Sequence, residues 1–129
     1  MIDHMTIGIR DFGRSMTFYD AALAPLGVSR LVTLTPDAQM PIHLAGYGDS
    51  RPWLWLAADN PTQGKLHIAL SANNRAEVDA FYAAALEAGA QDNGAPGLRP
   101  YYHPDYYGAF VLDPDGHNLE AVCHTSPND

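Results

Sequence analysis

The chain has 129 residues, 47% of them hydrophobic, which is enough for one core and too few to require a second domain. Its formal net charge of −8 at pH 7 disfavours nucleic acid phosphates and anionic membrane surfaces as partners. We therefore expect a small-molecule substrate, no nucleic acid and no membrane. The single cysteine, Cys123, and a start without signal-peptide features favour the cytoplasm.

An internal repeat is the most specific structural signal in the sequence. The segment FYDAAL at Phe18–Leu23 returns as FYAAAL at Phe81–Leu86. A histidine inside an apolar stretch precedes both copies at the same distance, His4 in the first and His67 in the second. The repeat therefore includes a strand and a helix, and it predicts two similar halves.

In chain order, each half begins with a strand and continues with a helix. Alternating hydrophobicity predicts strands over 2–9 and 65–71, and helical spacing predicts helices over 14–24 and 75–88. Strand-like runs follow at 28–35, 40–47, 52–58, 98–103, 106–112 and 117–123.

The predicted fold class is α+β, with paired βαβββ modules forming a curved mixed sheet around a cavity and helices on the outside. Module one spans about residues 1–60 and module two about residues 64–125, within a single domain covering 1–129.

Three metal-ligand side chains are predicted to face the cavity. Alternation along the last strand points Glu120 away from the helix, and the repeat places His4 and His67 on the equivalent strand faces. Two imidazoles and one carboxylate leave coordination positions open for water or substrate, which suits Fe, Mn, Zn or Ni. The alternative is that these are hydrogen-bonded polar groups in a wet cavity.

The segment 97–108 concentrates four tyrosines and a histidine just before the Glu120 hairpin. One interpretation makes His103 a catalytic acid or base, lets Tyr107 hydrogen-bond a substrate oxygen, and puts Tyr101 in the substrate site. The other is that these rings pack at a dimer interface.

Module one offers further substrate-binding candidates. Trp53 and Trp55 are predicted to face the cavity with Thr6, and matching the two halves places Trp55 at the position that Glu120 has in module two. Indole rings stack on flat ligands, but they also simply fill space between sheets.

The segments that carry these residues resemble the glyoxalase/bleomycin-resistance/dioxygenase (vicinal oxygen chelate) superfamily over nearly the whole chain. The matching stretches begin at Asp3-His4, Ser15, His67 and Leu112, the last running through DPDGHN to Glu120. The resemblance implies a fold that is frequently dimeric, so we expect a homodimer. It also implies a divalent metal that binds substrate through adjacent oxygens, with His4, His67 and Glu120 as ligands.

The resemblance leaves several functions open. Glyoxalase I enzymes use a fourth ligand, a glutamate, where this chain has Trp55, so lyase, isomerase or extradiol-dioxygenase-like chemistry fits better than canonical glyoxalase I. Fosfomycin thiol transferases also resemble the chain at His4-x-Thr6, but few cations are available here for a phosphonate. The competing function is a metal-free, bleomycin-resistance-like protein that sequesters a small aromatic or cationic ligand.

Overall fold

The computed structural model describes residues 1–127, which form eight strands and two α-helices. The elements of module one are β1 (Met5–Gly8), α1 (Phe12–Leu23), β2 (Ser29–Leu34), β3 (Leu44–Gly48) and β4 (Pro52–Ala57). Those of module two are β5 (His67–Ser71), α2 (Arg75–Glu87), β6 (Gln91–Leu98), β7 (Tyr107–Leu112) and β8 (Asn118–Cys123). Neither helix of the described chain is long and apolar enough to cross a membrane.

Each module folds into one mixed four-stranded sheet, in the order β1-β4-β3-β2 and β5-β8-β7-β6. The first strand of each module pairs in parallel with the last, and the other pairs are antiparallel. Each helix is the crossover that makes the parallel pair possible. The predicted α+β fold of paired βαβββ modules is confirmed.

Both helices begin at side-chain caps and pack their apolar faces into one shared core. Asp11 accepts a hydrogen bond from the Arg14 backbone N–H, and Asn74 accepts one from that of Glu77. The helices also contact each other. The modules therefore share a hydrophobic interior. The sheet faces turned away from the helices carry Thr6, Trp55, His67 and Glu120.

A buried hydrogen bond joins the modules across this interior. The Tyr19 hydroxyl on α1 donates to Asp113 Oδ2 at 2.6 Å, in the turn before β8. Both side chains are buried, at 1% and 5% exposure. The other oxygen of Asp113 accepts the backbone N–H groups of Asp115 and His117, so the turn is fixed to the helix of the other module.

One strand lies where the sequence does not predict it. The predicted strand over 98–103 is wrong: β6 occupies Gln91–Leu98, and the residues after it form a loop. The β6 sequence QDNGAPGL shows no apolar alternation and contains Pro96, but it is an edge strand with two register shifts against β7. An edge strand tolerates proline and needs no apolar alternation, so the sequence of β6 lacks the hydrophobic pattern by which a strand is predicted.

The segment that links the modules is attached at both ends. The Thr62 backbone N–H donates to the Gly8 carbonyl, and the Gly8 N–H donates to Thr62 Oγ1, both at 2.9 Å. The Leu66 carbonyl accepts the Asn118 N–H at 3.1 Å. Residues 63–65 are the stretch between these two attachments.

Candidate functional site

The face of module two holds a buried carboxylate beside a histidine. β5 and β8 pair in parallel with Ala69 opposite Glu120, which brings the His67 ring alongside the carboxylate. His67 Nε2 donates to Glu120 Oε1 at 2.7 Å. The Glu120 side chain is completely buried, whereas that of His67 is 44% exposed. A buried carboxylate without access to water needs a hydrogen-bond partner such as this imidazole. The exposed part of the His67 ring is accessible to a ligand from solvent.

The second oxygen of Glu120 is held by a tyrosine that is not among the residues predicted from the sequence. The Tyr106 hydroxyl donates to Oε2, and burial, followed by the hydrogen bond and charge of Glu120, raises the pKa of this phenol. Tyr106 therefore stays protonated at neutral pH and acts as a donor. Strand alternation could have identified this residue. Ala109 and Val111 face the helix, and Tyr106, an odd number of residues away, points to the opposite face.

The face of module one is an apolar cavity with a histidine at its edge. A cavity of about 580 Å³ is lined by His4, Thr6, Leu34, Leu44, Arg51, Pro52 and Trp55. The Trp55 ring lies across β3 over Gly46, where a Cβ would approach it to 2.9 Å. The indole therefore forms a flat wall because its neighbour has no side chain.

His4 is oriented by charged neighbours. Its Nδ1 donates to Asp3 Oδ1 at 2.7 Å, and Arg51 donates to the other oxygen of Asp3. The hydrogen bond from His4, then that from Arg51, lowers the pKa of Asp3. With Nδ1 engaged, His4 Nε2 is the nitrogen left available, and the side chain is 58% exposed.

The three predicted ligands do not form one cluster within a chain. Among residues 1–127, no three histidine, cysteine, aspartate or glutamate side chains are grouped closely enough to hold a metal ion. His67 and Glu120 are together, but His4 lies at the cavity of module one. Trp53 does not line the cavity that Trp55 lines: it packs against the core and lines a second cavity with His67 and Met5.

The other predicted site residues lie in and beside the loop before β7. His103 Nε2 is 2.8 Å from Nδ1 of His124, and the two rings stack. The Tyr107 hydroxyl donates to Asp79 on α2 at 2.6 Å, on the helix side of the sheet. Tyr101 is 74% exposed. The catalytic roles of His103 and Tyr107 and the binding role of Tyr101 remain predictions.

The fold and this strand arrangement agree with a family model. The chain matches the model of the Glyoxalase/Bleomycin resistance protein/Dioxygenase superfamily over residues 1–121. It belongs to that superfamily. No curated protein matches the chain.

Solved structures share the fold over almost the full length. A glyoxalase/bleomycin resistance protein from Albidiferax ferrireducens is 25% identical with a TM-score of 0.73, covering 95% of this chain and 98% of that one. A family enzyme from Burkholderia phytofirmans is 20% identical with a TM-score of 0.70, covering 96% and 98%.

A third similar structure is the genomically encoded fosfomycin resistance protein FosX from Listeria monocytogenes, complexed with Mn(II) and a sulfate ion. It is 15% identical with a TM-score of 0.70, covering 97% of this chain and 93% of that one. At this identity the likeness is one of fold.

Proposed function

We propose that the protein is a divalent-metal-dependent enzyme acting on a small molecule, with lyase, isomerase or extradiol-dioxygenase-like chemistry. The observation that carries the proposal is the buried Glu120 beside the half-open His67. A carboxylate and an imidazole at one point are the donors that first-row divalent ions accept. Mn²⁺ is the first ion to test, since the similar FosX structure contains it.

The third ligand, in this proposal, comes from a second copy of the chain. One chain supplies two grouped donors, while its own His4 lies at another open face. In a homodimer with twofold symmetry, His4 of the partner subunit would join His67 and Glu120, and the same contact would occur twice. The two sites would then be equivalent, each with donors from both copies.

The residues present fit such an ion by their chemistry, and the remaining side chains suit an apolar substrate. When bound, the metal supplies a Lewis acid that polarises neighbouring substrate oxygens. Glu120 and His67 would hold it, and Thr6 offers a hydroxyl at the cavity surface. Trp55, Leu34 and Leu44 would cover the apolar part of the substrate and exclude water there.

Complementation between two defective copies tests the shared site. His4→Ala and Glu120→Gln chains carrying different tags are co-expressed, and the mixed dimer is isolated through both tags. If ligands are shared, the mixed dimer has one intact site and binds half as much Mn²⁺ as the wild-type dimer, while each variant alone binds none. Calorimetric titration measures the stoichiometry.

Other outcomes separate the parts of the proposal. A mixed dimer that binds no Mn²⁺ beside a wild type that does would place all ligands within one chain. A monomeric wild type that binds Mn²⁺ would contradict sharing but keep the enzyme. Glu87→Gln is the matched control, because Glu87 is a carboxylate at the end of α2, away from the candidate site.

A metal-free ligand-binding protein is the second candidate, favoured by the absence of a three-ligand cluster in the described chain. The apolar cavity with Trp55 would then hold an aromatic ligand, and the net charge of −8 would favour a cationic one. Elemental analysis of protein purified without chelator, beside a His67→Ala variant, distinguishes the two. No metal in either protein, and no binding of Fe²⁺, Mn²⁺, Zn²⁺ or Ni²⁺, supports the binding protein.

A further inference from the structure

Glu120 uses each of its two oxygens for a different partner. Oε1 accepts from His67 Nε2 at 2.7 Å, and Oε2 accepts from the Tyr106 hydroxyl. A glutamate side chain has several rotatable bonds, so a single hydrogen bond leaves its carboxylate free to turn. The second bond removes that freedom and fixes which oxygen faces the imidazole.

A glycine makes room for this contact. A Cβ on Gly108 would lie 3.2 Å from Glu120 Oε2 and 3.2 Å from Tyr106 Cε1. The residue is not among the glycines with positive φ, so its backbone conformation does not itself require glycine. The position therefore favours glycine because the tyrosine and the carboxylate meet directly above it.

The Tyr106 ring is held in place from its own side of the sheet. It makes T-shaped contacts with the rings of His103 and His124, with ring centroids 5.6 and 5.2 Å apart. The backbone is fixed as well, since the Tyr106 carbonyl accepts the Arg99 N–H at 2.7 Å and its N–H donates to the His103 carbonyl at 3.2 Å. Ring contacts and backbone hydrogen bonds thus support the residue whose hydroxyl reaches Glu120.

We propose that Tyr106 is the positioning residue for Glu120, and that Gly108, which has no side chain, leaves room for their contact. Tyr106 holds Oε2 so that Oε1 stays beside His67 and faces the ligand. This inference rests on the proposed metal site for its functional meaning. The geometric claim, that the tyrosine sets the carboxylate orientation, stands without any metal.

The test compares Tyr106→Phe with wild type, using Tyr102→Phe as the matched control. Tyr102 is in the same loop, and its ring packs on that of Tyr106, but it is 59% exposed. We expect Tyr106→Phe to weaken Mn²⁺ binding by about 10–100-fold, the usual effect of losing an outer hydrogen-bond partner of a ligand. The Tyr102→Phe protein should bind Mn²⁺ as wild type does. Gly108→Ala, which pushes the two groups apart, should resemble Tyr106→Phe.

A crystal structure of metal-free Tyr106→Phe gives a readout independent of binding. We expect the Glu120 carboxylate to turn and its Oε1 contact with His67 to be lost. Unchanged Mn²⁺ affinity in Tyr106→Phe, or a carboxylate that keeps its place, overturns the inference. If the wild type binds no divalent ion, the proposal of a metal-dependent enzyme is wrong. The orientation of Glu120 in the crystal structure of Tyr106→Phe then still decides whether Tyr106 positions the carboxylate.

Discussion

The two sheet faces have the same strand plan but different chemistry. In module one, β1 and β4 pair with Thr6 opposite Trp55, and in module two, β5 and β8 pair with Ala69 opposite Glu120. Trp55 and Glu120 are therefore equivalent positions of the repeat. One half presents an apolar wall, and the other presents a buried carboxylate.

On the strands next to these positions, the aromatic residue is in module two instead of module one. Gly46 pairs with Trp55 in module one, whereas Phe110 pairs with Glu120 in module two. In these two cross-strand pairs the aromatic ring is thus carried by the last strand in module one and by the neighbouring strand in module two. A duplicated fold can thus keep its backbone and core while the two copies of one face carry different side chains, which in the proposed enzyme would serve substrate binding and metal ligation.

The largest expected effect comes from removing the carboxylate that distinguishes the halves. Glu120→Gln keeps the size of the side chain but removes its charge, so we expect divalent-ion affinity to fall by more than about 100-fold, beyond the loss of an outer partner. Titration with Mn²⁺ measures the change, and Glu87→Gln should show none. Equal affinity of the two variants would remove Glu120 from the site.

The repeated tyrosines of the helices should respond unequally. Tyr19 is 1% exposed and bonded to Asp113, whereas its repeat equivalent, Tyr82, is partly exposed on α2. Tyr19→Phe leaves a buried carboxylate oxygen without its donor and should lower the free energy of unfolding by about 1–3 kcal/mol. Tyr82→Phe should change it by no more than about 0.5 kcal/mol. Urea unfolding of both variants checks the difference, and equal losses would show that the bond between modules adds no stability.

Alkaline pH should sharpen the same contrast. Burial, then the charge of Asp113, raises the pKa of Tyr19 well above the ordinary phenol value of 10.0. The unfolded chain therefore loses this proton first, so the stabilisation is complete below pH 10 and falls as pH rises towards the folded pKa. The loss is up to about 1.4 kcal/mol per pH unit. Urea unfolding free energies from about pH 8 to 11 should fall less steeply for Tyr19→Phe than for wild type, and parallel curves would contradict this.

The smallest expected effect is at the glycine beneath the aromatic wall. A methyl group in Gly46→Ala would lie 2.9 Å from the Trp55 ring and 3.0 Å from Pro52 Cβ. The partly exposed ring can shift, so we expect a loss of about 1 kcal/mol in unfolding free energy, with altered tryptophan fluorescence. Gly13→Ala, where the nearest atom is 3.9 Å away, should not destabilise the protein. An unchanged indole signal in Gly46→Ala would mean that the wall is not held by this contact.

The sequence predicts the fold well where amphipathic patterns are strong. The FYDAAL and FYAAAL repeats predict both helices, and alternation along β8 predicts the inward Glu120. Edge strand β6 is not predicted because its partner lies on one side only and its sequence, QDNGAPGL, contains proline and glycine and no apolar alternation.

The candidate site is only partly predictable from the sequence, because its contacts depend on how the modules meet. Equivalent strand positions predict that His4 and His67 lie on matching faces, but not the distance between those faces. Tyr106 and Tyr107 are adjacent, so strand alternation allows only one of them to share the face of Glu120. Ala109 and Val111 face the helix with Tyr107, which favours Tyr106 as the residue on the Glu120 face. The side-chain contact between Tyr106 and Glu120 confirms that alternation.

The attached linker limits how far the modules can separate. With Thr62 bonded to Gly8 and Leu66 bonded to Asn118, the four Cα steps from 62 to 66 span at most about 14 Å. The two modules of one chain are thus held together by the linker as well as by their shared core. In a homodimer, each chain would therefore dock as a unit in which its two modules are already paired. Any ion that needed both copies would then be held more tightly at higher protein concentration.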